Sequence, residues 1–160
     1  MNEAHLHQES RYFKKLQDYL REFVYGGIDG AVTTFAVVAG GFGADLDTGI
    51  IIILGFANLF ADGFSMSVGA YLSSKSDKEN YNKHQAIEYW EVDNLPELER
   101  EEVRDIYKAK GFKGDLLDKV VDQITSNKDI WVAEMMKDEL NLMEETKSPF
   151  KIGIATFASF

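Results

Sequence analysis

Two long apolar runs dominate the first half of the chain. Residues 23–44 contain a single charged side chain, Asp29, and residues 48–74 contain a single one, Asp62. A membrane helix takes about 20 mostly apolar residues to cross roughly 30 Å of hydrocarbon, so each run is long enough to span. The pattern predicts one transmembrane helix over 23–44 and a second over 48–74. The bland alternative is a buried core helix of a soluble protein, and two such runs only a few residues apart argue against it. A secretory signal fits less well, because the first run is rich in glycine and follows a charged amphipathic stretch. Residues 1–22 read as a cytoplasmic or interfacial N-terminal helix.

After Ser74 the pattern becomes that of amphipathic helices. The second apolar helix is expected to run on through Lys75 to about Val92, with no Gly or Pro to stop it. Pro96 suits the first turn of a new helix through Lys110, with Glu97 and Glu99 near its positive end and Gly111 as its stop. Leu116, Leu117, Val120, Val121 and Ile124 stripe a further helix from Asp115 to about Thr125. A last one is expected from Lys128 to about Glu145. Residues 149–160 read as the start of a third transmembrane helix with Lys151 at the interface. The apolar residues left after Lys151 are too few to cross a bilayer, so the chain is expected to be a fragment or truncated product of a longer membrane protein. The fold class predicted is all-α: a helical membrane protein whose residues 75–148 form a cytoplasmic metal-binding domain inserted between spans two and three.

Charge adds orientation. Arg11, Lys14, Lys15 and Arg21 precede the first span and Lys75, Lys78 and Lys83 follow the second, while the connector carries Asp45 and Asp47 and no cation. By the positive-inside rule both outer ends face the cytoplasm. The N-terminus and residues 75–148 are therefore expected to be cytoplasmic. Over the whole chain the net charge is −10, and residues 75–148 hold 12 Lys+Arg against 19 Asp+Glu, a net −7. Such acidity excludes a basic nucleic-acid binder. The absence of cysteine excludes disulfides, zinc–thiolate and iron–sulfur sites and a cysteine nucleophile. With no targeting signal either, the reading is a multi-pass protein of a prokaryotic inner membrane.

A carboxylate in the middle of a membrane helix costs about 2.5–3.5 kcal/mol on insertion scales, so Asp29 and Asp62 want a reason. On a helix Asn58, Asp62 and Met66 are successive i, i+4 neighbours and form one stripe. Carboxylate plus thioether suits a divalent transition metal better than magnesium or calcium. Packing is the commoner explanation of a lone Met, Met66 included, and a lone Asp is compatible with a structural hydrogen bond. Two aspartates in two spans favour an ion or proton path. Small residues at four-residue spacing, Gly26 with Gly30, Ala57 with Ala61 and Ser65 with Gly69, would let helices approach closely in a bundle or dimer.

In the acidic segment carboxylates pair on shared helix faces: Glu88 with Glu91, Glu99 with Glu102, and Glu139 within one turn of Met135 and Met136. Each pair alone reads as a solvated acidic face. Together with two adjacent thioethers they also read as a site for iron(II) or manganese(II), with zinc(II) as a further candidate. The sequence argues against a ferritin-like oxidase, because none of His5, His7 and His84 follows a Glu at Glu-x-x-His spacing. Neither a phosphate loop nor a Gly-x-Ser-x-Gly elbow occurs, and no enzymatic activity is expected.

Gly27-Ile28-Asp29-Gly30 and Ala39-Gly40-Gly41 in the first span, Ala61-Asp62-Gly63-Phe64-Ser65-Met66 and Tyr71-Leu72-Ser73 in the second, and the segment Trp131 to Leu142 resemble the vacuolar iron transporter family. The resemblance covers roughly residues 18–160. It implies a five-span, all-helical homodimer in the lipid bilayer that exports iron(II), often also manganese(II), from the cytosol in exchange for protons. It also implies a membrane path through Asp29 and Met66, and cytoplasmic ligands at Glu88, Glu91, Glu99, Glu102, Met135, Met136 and Glu139. One departure is Asn58, where plant and parasite members carry a glutamate; Asp62, one turn on, is expected to take part of that role. Two other readings stand beside this one. The first is a membrane-anchored iron- or manganese-buffering protein without transport, the second a structural membrane protein with a solvated acidic face.

Overall fold

The computed structural model of the chain describes residue 17 and residues 19–160. Most of the expected N-terminal helix, with His5, His7, Arg11, Lys14 and Lys15, lies outside the described residues. The described elements are α1 (Leu20–Gly43), α2 (Thr48–Asn94), α3 (Pro96–Ala109), α4 (Gly114–Thr125), α5 (Lys128–Asp138) and α6 (Pro149–Ser159). No strand occurs among the described residues, so the fold is all-α.

α1 and α2 are both long and apolar enough to cross a membrane. In their most apolar stretches only 11% and 17% of the residues are buried. Phe35, Phe42, Ile53, Phe56, Phe60 and Phe64 all lie exposed, Phe42 to 82%. A core helix of a soluble protein hides such side chains, whereas here they form a continuous apolar exterior suited to lipid. Asp47 starts α2: its Oδ1 accepts the Gly49 N–H at 2.8 Å, and Asp45 turns the connector with a left-handed φ of 56°. At 11 residues, α6 is too short to span a membrane by itself.

The chain divides into two compact units. One comprises the described residues up to Lys75 together with Lys147–Phe160; the other is Ser76–Thr146. α2 runs unbroken from the first into the second.

Within the first unit α6 packs where glycines let it approach. A Cβ on Gly26 would stand 1.8 Å from Ser159 Oγ and 3.2 Å from the Thr156 carbonyl oxygen. A Cβ on Gly153 would stand 3.2 Å from the Ser67 carbonyl oxygen of α2, and the Ser67 hydroxyl donates to the Gly153 carbonyl at 2.8 Å. The small-residue pair Gly26/Gly30 thus serves close packing, against α6. On α2 the close approach to the Phe160 and Phe157 side chains falls at Gly63, while Ala57, Ala61, Ser65 and Gly69 stay exposed. Four-residue spacing marks a face but does not say what meets it.

The second unit has its own core of Val92, Val103, Leu117, Val121, Ile124, Trp131, Val132, Met135 and Met136. Pro96 opens α3 and Gly111 ends it at φ +99°. Asn127 caps α5, its Oδ1 accepting the Asp129 and Ile130 N–H groups at 3.0 and 3.1 Å. An Asn127→Ala change removes that cap, and a loss of about 1 kcal/mol is expected. Thermal unfolding followed by tryptophan fluorescence checks it, and an unchanged melting temperature contradicts it.

The last helix ends at Asp138 rather than near Glu145. The N–H groups of Leu140 and Leu142 fold back onto the Met135 and Met136 carbonyls at 3.2 and 2.8 Å, and Asn141 takes a left-handed φ of 53°. Asn tolerates that conformation, and the turn folds Leu140 and Leu142 against the core instead of extending the helix into water.

Candidate metal centre

Two groups stand out among the acidic residues of the second unit. The first is neutralised. Arg100 pairs with Asp122, Arg104 with Asp118 at 2.6 Å, Lys110 with both Glu134 and Asp138, and Lys128 with Asp93 at 2.5 Å. These pairs join α3 to α4, the end of α3 to α5, and α2 to α5.

The second population is Glu88 and Glu91 on α2, Glu99 and Glu102 on α3, and Glu139 at the C-terminal end of α5. None of the five has a cation within ion-pair distance among the described residues. Glu88 and Glu99 are each only 3% exposed, and the Oε2 atom of each is buried without a hydrogen-bond partner. Burial first, then the charges of Glu139, Glu91 and Glu102, push Glu88 from its usual 4.5 up to about 7. Glu99 is likewise pushed up to about 7, by burial and then by Glu102, Glu88, Glu91 and Glu139. Glu102 is raised by burial and by Glu91, and Glu139 by burial and by Glu102 and Glu91.

Helices α2 and α3, joined at Leu95, and the end of α5 therefore gather five glutamates into one electrostatic cluster. Like charges held together without a cation oppose folding, and a buried carboxylate oxygen without a donor adds a desolvation penalty. A divalent cation relieves both, and several carboxylates are a donor set for iron(II), manganese(II) or magnesium(II). Among the described residues no three carboxylate or imidazole groups stand at coordinating distance. The cluster is thus close enough to couple electrically, and still wider than a closed coordination shell.

Met135 and Met136 are 0% and 1% exposed and belong to the apolar core of the same unit. Glu139 follows them by one turn, its N–H bonded to the Met135 carbonyl at 3.0 Å. Core packing accounts for both thioethers as they stand.

Asp29, Asp62 and Met66 belong to the first unit. Asp29 is exposed on α1, and its carbonyl accepts the Thr33 hydroxyl at 2.8 Å. Asn58, Asp62 and Met66 are half-buried along one stripe of α2, while Ala57, Ala61 and Ser65 beside them are exposed. The Asn58 Nδ2 group is buried without a partner.

Sequence reasoning missed the ion pairs that hold α5 in place. The available signal was Glu134 and Asp138, four residues apart on one helix face, but nothing in the sequence points to Lys110 as the cation that meets both.

The VIT family's sequence model matches residues 20–160. A vacuolar iron transporter of Toxoplasma gondii is 40% identical over 146 residues, which is 89% of this chain and 48% of that protein. A vacuolar iron transporter of Plasmodium berghei is 36% identical over 149 residues, 90% of this chain and 54% of the relative. Vacuolar iron transporter 1 of Arabidopsis thaliana is 32% identical over 143 residues, 86% and 57% of the two chains. The chain spans about half the length of the curated relatives it matches. These relatives are named as transporters, not enzymes.

Proposed function

The chain belongs to the VIT family, and from that premise we propose that it serves to export iron(II) and manganese(II) across a membrane, from the cytosol and in exchange for protons. The observation that carries the reading is the cluster of five glutamates from α2, α3 and the C-terminal end of α5 that have no cation in ion-pair distance among the described residues, with Glu88 and Glu99 buried. Glu88, Glu91, Glu99, Glu102 and Glu139 supply oxygen donors that gather the ion on the cytoplasmic side. Met135 and Met136 are proposed as thioether ligands that select a transition metal over magnesium. Asp29 and Met66 line the membrane path, and Asp62 takes part of the carboxylate role beside Asn58. The working form is a homodimer in the lipid bilayer of a prokaryotic inner membrane, with zinc(II) as a further ion the site accepts.

Metal binding at the cluster is expected to displace protons, which is compatible with exchange. Glu88 and Glu99 sit near pH 7, so each is about half protonated there, and a cation binds only as those protons leave. Manganese(II) affinity is therefore expected to fall about 10- to 100-fold between pH 8 and pH 6 as both groups take up protons. Isothermal titration of the chain in detergent checks this, and an affinity flat over that range contradicts it.

Uptake of iron(II) or manganese(II) into proteoliposomes, with a pH gradient as driving force, tests transport itself. Asp29→Ala and Met66→Ala are expected to abolish uptake while leaving cytoplasmic binding intact; unchanged uptake removes the assigned path. Binding without any uptake favours the buffering reading.

A further inference from the structure

The end of α3 and the end of α5 are clasped together at the residue that precedes Glu139. Lys110, the residue that closes α3, reaches α5 with its Nζ, donating to Glu134 Oε1 at 3.3 Å and to Asp138. The same ammonium lies 4.3 Å from the centre of the Tyr107 ring. Tyr107, one turn earlier on α3, donates its hydroxyl to Glu134 Oε1 at 2.6 Å. Burial and that hydrogen bond push the phenol up to about 12, so it keeps its proton and remains a donor. Glu134 and Asp138 side chains are 20% and 17% exposed and Lys110 is 37% exposed, so the clasp is shielded on its carboxylate side and open to water on its ammonium side.

The clasp has a specific neighbour. Asp138 immediately precedes Glu139, the one cluster glutamate contributed by α5, while Glu99 and Glu102 ride on the helix that Lys110 closes. After Glu139 the backbone leaves the helix and turns at Asn141, so the helix itself does not hold Glu139 from beyond. We propose that Lys110, with Tyr107, is a positioning residue that fixes Glu139 of α5 relative to Glu99 and Glu102 of α3. The inference rests on the reading of the five glutamates as a metal centre.

Positioning and plain electrostatics predict opposite signs. Lys110 neutralises Asp138, the residue before Glu139, so if charge alone mattered, its removal would leave the end of α5 more negative and tighten cation binding. If it positions Glu139, its removal loosens binding, because a ligand displaced by even an ångström loses most of its contribution.

The test measures manganese(II) dissociation constants by titration calorimetry on the whole chain in detergent, with thermal unfolding alongside. Lys110→Met is expected to weaken binding at least fivefold, Tyr107→Phe to weaken it about twofold, and Lys110→Arg to restore most of the affinity. In a Glu139→Gln background, Lys110→Met is expected to have no further effect. Lys128→Met, which breaks the Asp93 pair at the other end of α5, is expected to lower stability and leave affinity unchanged. Unchanged or tighter binding in Lys110→Met, or an equal loss in the Glu139→Gln background, overturns the proposal. Should Lys110→Met fail to fold, the Tyr107→Phe result decides in the same way. Absence of manganese(II) binding by the unaltered chain removes the metal-centre reading itself, and this inference with it.

Discussion

Replacing Glu88 and Glu99 together by glutamine is expected to stabilise the metal-free protein at pH 8 and, in the same molecule, to weaken manganese(II) binding at least 100-fold. The sign follows from proton linkage. Both carboxyls are held near 7 in the folded chain against the usual 4.5, so between those values the folded state binds more protons than the unfolded one. Stability then falls as pH rises from 4.5 through 7, and the full penalty is present above 7. Each shift taken alone corresponds to about 3 kcal/mol. The two charges are part of each other's penalty and water screens them in part, so the joint gain on neutralisation is about 2–4 kcal/mol.

Glutamine keeps the shape and adds an amide donor that the remaining carboxylates accept. Metal-free wild type should also melt higher at pH 5 than at pH 8, and manganese(II) should close that gap. Melting curves of both forms at both pH values check all three statements. A double variant that melts lower than wild type at pH 8 contradicts the account of these residues as functional charges held against stability.

The second large effect belongs to the first unit. Gly26→Val is expected to dislodge α6, because a Cβ at Gly26 falls 1.8 Å from Ser159 Oγ and 3.2 Å from the Thr156 carbonyl. A serine hydroxyl rotates away, but a backbone carbonyl yields only if α6 moves, and a β-branched side chain enlarges the clash. The Ser159 hydroxyl also donates to the Glu22 carbonyl at 3.2 Å, a bond lost with that shift.

Disulfide trapping reads this without background, since the chain has no cysteine. A Cβ on Gly63 stands 3.3 Å from the Phe160 Cβ, so Gly63→Cys with Phe160→Cys should crosslink α2 to the end of the α6 segment on mild oxidation. Adding Gly26→Val should reduce crosslinking at least several-fold. Equal crosslinking with and without it contradicts the packing described.

Much of this architecture was legible in advance for simple reasons. The apolar runs ending near Gly43 and beginning at Thr48 were readable because hydrocarbon permits only long uninterrupted helices. Pro96 and Gly111 marked the limits of α3 because each restricts or frees the backbone in a way few residues do. Helical spacing paired Glu88 with Glu91 and Glu99 with Glu102, since i, i+3 neighbours share a face whatever lies opposite.

The early end of α5 was not legible. It depends on Leu140 and Leu142 folding back over a core whose shape the local sequence does not encode. Nor could spacing show which small residues would be covered: Gly26 and Gly63 meet the α6 segment, whereas Ala57, Ala61, Ser65 and Gly69 stay exposed. Separating the neutralised carboxylates from the uncompensated ones likewise required knowing where Arg100, Arg104, Lys110 and Lys128 reach.

Counting the protons released when manganese(II) binds tests the central claim most directly. Titration calorimetry of the whole chain at pH 7, repeated in two buffers of different ionisation enthalpy, gives that number. With Glu88 and Glu99 both near 7, about one proton should leave per ion bound, and the release should disappear together with tight binding in the Glu88→Gln, Glu99→Gln variant. Absence of binding, or binding that releases no proton and survives the double substitution, contradicts the account.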